Sequence, residues 1–390
     1  MLVGAVTGAR SDYGIYRPLL QAMSDDSFFG LRLFVTGMHL SQEFGHTVDT
    51  IVTDGFRVDE RVEMLLSSDT PEGIAKSMGL GTIGFAQAYA RCRPDLLMVL
   101  GDRFEMHAAA LAALPFKIPV AHIHGGELTE GAIDDALRHS ITKMSHLHFV
   151  ATEEYGRRLV QMGEEPWRVT VCGAPSLDNL RSVKLLSRNE LEVKLGMSLE
   201  GAPLLVTYHP VTLEYERTEW QVGELLAALQ QFDFPIVFTL PNADTHGRVI
   251  AQKIREFVND RPTARFINSL GIQMYFSLMA CALAMVGNSS SGIVEAPSFV
   301  LPVVNIGTRQ RGRVRGPNVI DVGYAREEII EGIKKAAREE FRTSLKGILN
   351  LYGSGNAAGI VMARLKEVTL NERLVVKKFW EASKSVEKCC

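Results

Sequence analysis

Two doubly wound α/β domains in series are the fold this sequence predicts, on three observations. Short, fully apolar runs alternate with longer segments of helical spacing along nearly the whole chain. One polar, charge-rich stretch near the middle breaks that rhythm, which then restarts. The length, 390 residues, is too great for one ordinary domain and suits two. Strands without polar alternation belong to parallel sheets covered by helices on both faces.

In the first half the expected strands are Leu2–Thr7, Leu31–Thr36, Leu96–Leu100, Val120–Ile123, Leu147–Ala151 and Val169–Cys172. Helical spacing marks Gly73–Arg91, Phe104–Leu114 and Asp134–Met144 between them. Residues 176–201 lack a strand and read as a linker. The second half repeats the pattern with Leu204–Thr207, Ile236–Thr239, Arg265–Ile267, Leu283–Val286 and Val303–Ile306, and helices at Glu219–Gln231 and Gly247–Val258. The expected units are therefore 1–175 and 202–355. A basic, helical segment over 356–390 follows, able to cross back to the first domain.

Composition narrows the class. Hydrophobic residues make up 46% and charged residues 22%, as in a globular chain. A net charge of −3 argues against a general nucleic-acid binder. The five cysteines, Cys92, Cys172, Cys281, Cys389 and Cys390, form no metal-ligand spacing and read as reduced thiols in a cytoplasmic protein. No apolar run approaches a membrane span.

Ligands of such folds sit beyond the carboxyl ends of the strands, so the strand-to-loop junctions are the places to search. Gly79-Leu80-Gly81-Thr82-Ile83-Gly84 matches a dinucleotide pattern but lies inside a helical stretch, where small residues serve close packing instead. The first strand ends in a glycine turn with Arg10, suited to a phosphate or to an ordinary turn. Asp102 and Arg103 follow the Leu96–Leu100 strand; an Asp there serves chemistry or caps the next helix. The next strand leads to His124, paired glycines and Glu127, and then to Asp134 and Asp135 at a helix start, with Arg138 and His139 behind them. Acidic groups converging on one cleft can supply both a base and an acid. His122 and His124 point to opposite faces of a strand, so shared metal ligation is not expected. In the second half His209 ends a buried strand, and Asn242 follows another. Gly287-Asn288-Ser289-Ser290-Ser291-Gly292 opens a helix with Glu295 behind it, a phosphate-suited loop with an acceptor for ribose hydroxyls. Arg309, Arg311, Arg313 and Arg315 form a phosphate clamp or an RNA patch, and the acidic balance favours the clamp.

Together these motifs resemble one family. G-D-R at Gly101–Arg103, H-I-H-G-G-E at His122–Glu127, I-D-D-x-x-R-H at Ile133–His139, H-P at His209-Pro210, and G-N-S-S-S-G with N-I-G-T-R-Q-R-G-R at Asn305–Arg313 are similar to the hydrolysing UDP-N-acetylglucosamine 2-epimerases, over roughly residues 1–365. The resemblance implies two Rossmann-like domains facing a cleft in a GT-B-type arrangement, no cofactor, no metal, a UDP-sugar substrate and a homodimer or homotetramer. It implies elimination of UDP to a 2-acetamidoglucal, then hydration to N-acetylmannosamine. Asp102, Glu127, Asp134 and His209 would carry acid–base chemistry. Arg10, Arg103, His124, Asn242, Ser289, Ser290, Glu295, Arg309 and Arg313 would bind substrate. Animal members carry H-I-E-G-G-E, with His124 standing here in place of the catalytic Glu. A GDP- or UDP-linked 2,4-diacetamido-trideoxy sugar of the legionaminic-acid route is the alternative substrate. A GT-B glycosyltransferase and a catalytically silent sugar-nucleotide binder are further alternatives.

Overall fold

The computed structural model describes residues 1–68, 70–239, 247–267 and 270–381. Its first sheet has seven parallel strands: β1 (Leu2–Thr7), β2 (Gly30–Thr36), β3 (Val58–Val62), β4 (Leu96–Leu100), β5 (Val120–Ile123), β6 (Leu147–Val150) and β7 (Val169–Val171), in the order β3-β2-β1-β4-β5-β6-β7. The second has six: β8 (Leu204–Thr207), β9 (Ile236–Thr239), β10 (Ala264–Ile267), β11 (Ala284–Gly287), β12 (Val303–Ile306) and β13 (Val319–Val322), in the order β10-β9-β8-β11-β12-β13. Every pairing is parallel, as fully apolar strands require. Strand order reverses between β1 and β4 and again between β8 and β11, which creates a crevice at the carboxyl edge of each sheet.

The glycine-rich decoy lies inside the helix Pro71–Arg91, capped by the Thr70 hydroxyl, which accepts from Gly73 N–H. A Cβ on Gly81 would meet the Met64 side chain at 2.6 Å, so the glycine permits close packing and contacts no cofactor turn. Residues 176–201 are more folded than a bare linker. Leu191 and Leu195 of the helix Arg188–Leu195 are buried in a core shared with Val237, Met279 and Met285 of the second domain.

The chain returns to the first domain at its far end. Ala357, Val361 and Leu365 of the helix Ala357–Glu367 pack in one core with Tyr16, Leu19 and Met23 of the helix Arg10–Ser24. Full burial of a Val or Leu side chain stabilises by about 1.5–3 kcal/mol. Arg168 fixes the following segment by donating to the carbonyls of Arg373, Leu374 and Val376. No helix among the described residues is long and apolar enough to cross a membrane.

Candidate active site

The carboxyl edges of the two sheets face each other, and the loops beyond them meet. Ile133 N–H donates to the Thr212 hydroxyl at 2.9 Å. Leu213 N–H donates to Gly131 O at 3.3 Å. On the opposite lip, Arg248 grips Glu43 through Nε and Nη2, both at 2.8 Å.

Arg138, fully buried on the helix Asp134–Met144, organises the first domain's side. It pairs with Asp102 beyond β4, with Glu127 beyond β5 at 3.2 Å, and donates to the Thr129 hydroxyl at 3.1 Å. Burial alone would raise both carboxyls. For Asp102 the charges of Arg138, Arg313 and Arg309 outweigh it and hold the group below the ordinary carboxylate range. For Glu127 the charges of Arg313 and Arg138 and the hydrogen bond to His124 outweigh it, and its carboxyl is held well down. Both acids are therefore charged near neutral pH. Asp102 is the more open, with 19% of its side chain exposed against 2% for Glu127.

His124 Nδ1 stands 2.5 Å from Glu127 Oε1. A charged carboxylate only accepts, so Nδ1 carries the proton and Nε2 is left for other use. The residue sits at φ +64°, a left-handed conformation that costs a non-glycine residue of order 1–3 kcal/mol. His122 points elsewhere: its Nε2 donates to Gly101 O at 2.7 Å and its Nδ1 accepts from Thr142 at 3.2 Å.

On the second domain's side, Asn288 braces His209 by accepting from its N–H at 2.7 Å and donating to its C=O at 2.9 Å. Burial, with Arg309 and Arg103 nearby, keeps the His209 imidazole neutral. Arg309 donates to Asn288 O at 3.2 Å, and its buried Nε has no partner among the described residues. Ser289 accepts from Ser291 N–H, and Ser290 precedes the short helix Ser291–Val294. Burial pushes the Tyr275 hydroxyl up to about 12, with Ser291, Thr207 and Ser289 acting against that rise. Glu295 accepts from Ser176, and burial raises its carboxyl. Gly287 is dictated by the backbone: at φ +135° its Cβ would fall 2.0 Å from Thr207 O.

Several sequence expectations change here. Arg313 is turned to the first domain: its guanidinium pairs with Glu127 at 2.8 Å and donates to Leu128 O. Arg315 likewise pairs with Asp321. Arg103 is directed to Glu105 through two 3.1 Å contacts. The amides of the first turn are turned to protein, since Gly8 and Ala9 N–H donate to Asp12, leaving half-buried Arg10 as that turn's cation. Asp135 takes the structural role, accepting from Thr129 N–H at 2.7 Å, while the charge of Asp134 acts on Arg138. Asn242 lies outside the described residues. The central residue to which the sequence assigns no role is Arg138. Its signal was present, an Arg four positions into a helix that opens with two acids.

Facing doubly wound domains, with paired carboxylates on one wall and a Gly/Ser loop with arginine on the other, are the build of a sugar-nucleotide enzyme. The chain belongs to the UDP-N-acetylglucosamine 2-epimerase family, whose model matches residues 21–366. It is 39% identical to the GDP/UDP-N,N'-diacetylbacillosamine 2-epimerase (hydrolyzing) of Campylobacter jejuni, over 86% of this chain and 88% of the relative. It is 37% identical to the UDP-N,N'-diacetylbacillosamine 2-epimerase (hydrolyzing) of Legionella pneumophila, over 95% and 97%. The fold is also that of the Neisseria meningitidis UDP-GlcNAc 2-epimerase bound to UDP-GlcNAc, with TM-score 0.81 and 21% identity over 94% of this chain and 100% of that one.

Proposed function

We propose that this protein is a hydrolysing 2-epimerase of a UDP- or GDP-linked 2,4-diacetamido-2,4,6-trideoxy sugar, releasing the nucleoside diphosphate and the free 2-epimer. The observation that carries the substrate choice is the 39% and 37% identity, over most of each chain, to two hydrolysing epimerases named for diacetylbacillosamine. This replaces UDP-N-acetylglucosamine as the leading substrate. The family's description keeps UDP-N-acetylglucosamine as the second reading.

The chemistry has two stages. A base takes the C2 proton while the C1–O bond to the diphosphate breaks, leaving a 2-acetamidoglycal. Water then adds at C1 and a proton is delivered to C2 from the other face. Asp102 suits the base, being charged and the more open of the two carboxylates. His124, with Nδ1–H held by Glu127, presents Nε2, which takes up a solvent proton and passes it to C2 while the water adding at C1 returns its own proton to solvent; the residue stands where animal relatives place a catalytic Glu. Glu127 then orients rather than touches the sugar. Arg10, Arg309 and the Ser289–Ser290 loop suit the departing diphosphate. Neutral His209 supplies hydrogen bonding instead of charge. Asp134 adds negative charge beside Arg138.

The test is incubation in deuterated water with the UDP- and GDP-diacetamido sugars and with UDP-N-acetylglucosamine, followed by proton NMR. The expected result is nucleoside diphosphate release with deuterium at C2 of the epimer, fastest from a diacetamido nucleotide. Faster turnover of UDP-N-acetylglucosamine would overturn the substrate choice. Release without deuterium at C2 would overturn the elimination mechanism.

A further inference from the structure

Two tyrosine hydroxyls from distant parts of the chain close a ring around a single peptide group. Val314 N–H donates to the Tyr155 hydroxyl at 3.1 Å. The Tyr352 hydroxyl donates to Val314 O at 2.8 Å, and the two hydroxyls lie 2.6 Å apart. A carbonyl only accepts, so Tyr352 spends its one proton on Val314. Tyr155 must therefore donate to Tyr352. The order is fixed: Val314 N–H to Tyr155, Tyr155 to Tyr352, Tyr352 to Val314 O.

The three partners come from different bodies. Tyr155 lies in the helix Glu153–Gln161 of the first domain. Val314 follows β12 of the second. Tyr352 precedes the helix that returns to the first domain. Both rings are buried, and burial pushes both hydroxyls up, so they stay protonated as the ring demands. Val314 is the neighbour of Arg313, the second-domain cation on Glu127.

The geometry points to Tyr155 and Tyr352 as positioning residues that clamp the Val314 peptide across the domain boundary and so seat Arg313 on Glu127. The first domain's carboxylate is then completed by a cation delivered from the second domain only when the two are docked. Neither tyrosine needs to touch the sugar nucleotide.

The activity readout rests on the proposed function; the geometry does not. Tyr352→Phe and Tyr155→Phe are compared with wild type, alone and combined with Arg313→Gln. Each tyrosine variant is expected to lower kcat about tenfold with KM for the nucleotide sugar within threefold. In the Arg313→Gln background the same change should alter kcat less than twofold. A merely structural role would remove active protein equally in both backgrounds, and that result overturns the inference, as does an unchanged kcat in both variants. If wild type turns over none of the three sugar nucleotides, the proposed function fails, and urea unfolding decides the inference instead. The drop in urea midpoint caused by Tyr352→Phe should then shrink by half or more when Arg313 is already Gln. An equal drop in both backgrounds overturns it.

Discussion

His124 and Glu127 form a closed pair three residues apart, Nδ1 to Oε1 at 2.5 Å, with the carboxylate's second oxygen held by Arg138 and Arg313. Both carboxylate oxygens are engaged by protein groups. The imidazole is the member with an atom to spare, which assigns proton traffic to His124 and orientation to Glu127.

Glu127→Gln is expected to lower kcat about 10²–10⁴-fold, since the amide no longer fixes the tautomer or balances two buried guanidinium groups. KM should change little. Initial rates of nucleoside diphosphate release check this, and a rate within threefold of wild type would reject the dyad.

Arg138→Met removes the cation shared by Asp102 and buried Glu127, leaving Glu127 with Arg313 alone among its guanidinium partners. Removing one partner of such a set costs about 3–5 kcal/mol. Urea denaturation at pH 7.5 reads the loss directly, and a loss below about 1 kcal/mol contradicts the assignment of Arg138 as the keystone.

Acid should weaken the first domain early. Burial lowers the imidazoles of His39 and His146 to about 4 and that of His122 to about 3. The unfolded chain takes up these protons near pH 6.5, while the folded chain refuses them until much lower pH. Stability therefore falls as pH drops below about 6.5, by up to about 1.4 kcal/mol per pH unit for each histidine. A urea midpoint that stays flat from pH 7.5 to 5 would contradict this.

Gly287→Ala forces a Cβ to within 2.0 Å of Thr207 O and into a disfavoured backbone region. The strain, about 1–3 kcal/mol, must push β11 from β8 or displace the Asn288–Ser291 loop. Thermal stabilisation by added UDP, measured by melting, should be lost in the variant. Retention of the full UDP shift would show that the loop does not hold the nucleotide.

Much of this was legible in the sequence, and the gaps have physical causes. All the buried strands announce themselves as apolar runs. The two strands without that signal, β3 (Val-Asp-Glu-Arg-Val) and β13 (Val-Ile-Asp-Val), are sheet edges, half open to water and free to carry charge. Junction residues such as Asp102, His124 and His209 were found because strand ends point at the crevice. The partners of Arg138 and Arg313 are not legible in the sequence, because a cation's partner is set by which loops converge. Spacing alone made Arg313 look like one tooth of a phosphate clamp; only the approach of Glu127 from the other domain shows its partner.

The returning helix Ala357–Glu367 has a consequence for how the protein is made. The first domain's core includes Val361, Leu365 and Leu374, so that domain is discontinuous in sequence. On the ribosome its sheet emerges early but stays without its last helix until the whole second domain has followed. At typical synthesis rates that wait is roughly 10–40 s. During it the apolar flank of Leu19 and Met23 has no cover. The second domain, contiguous in the chain, is the one placed to finish folding first, and the first is sealed only afterwards.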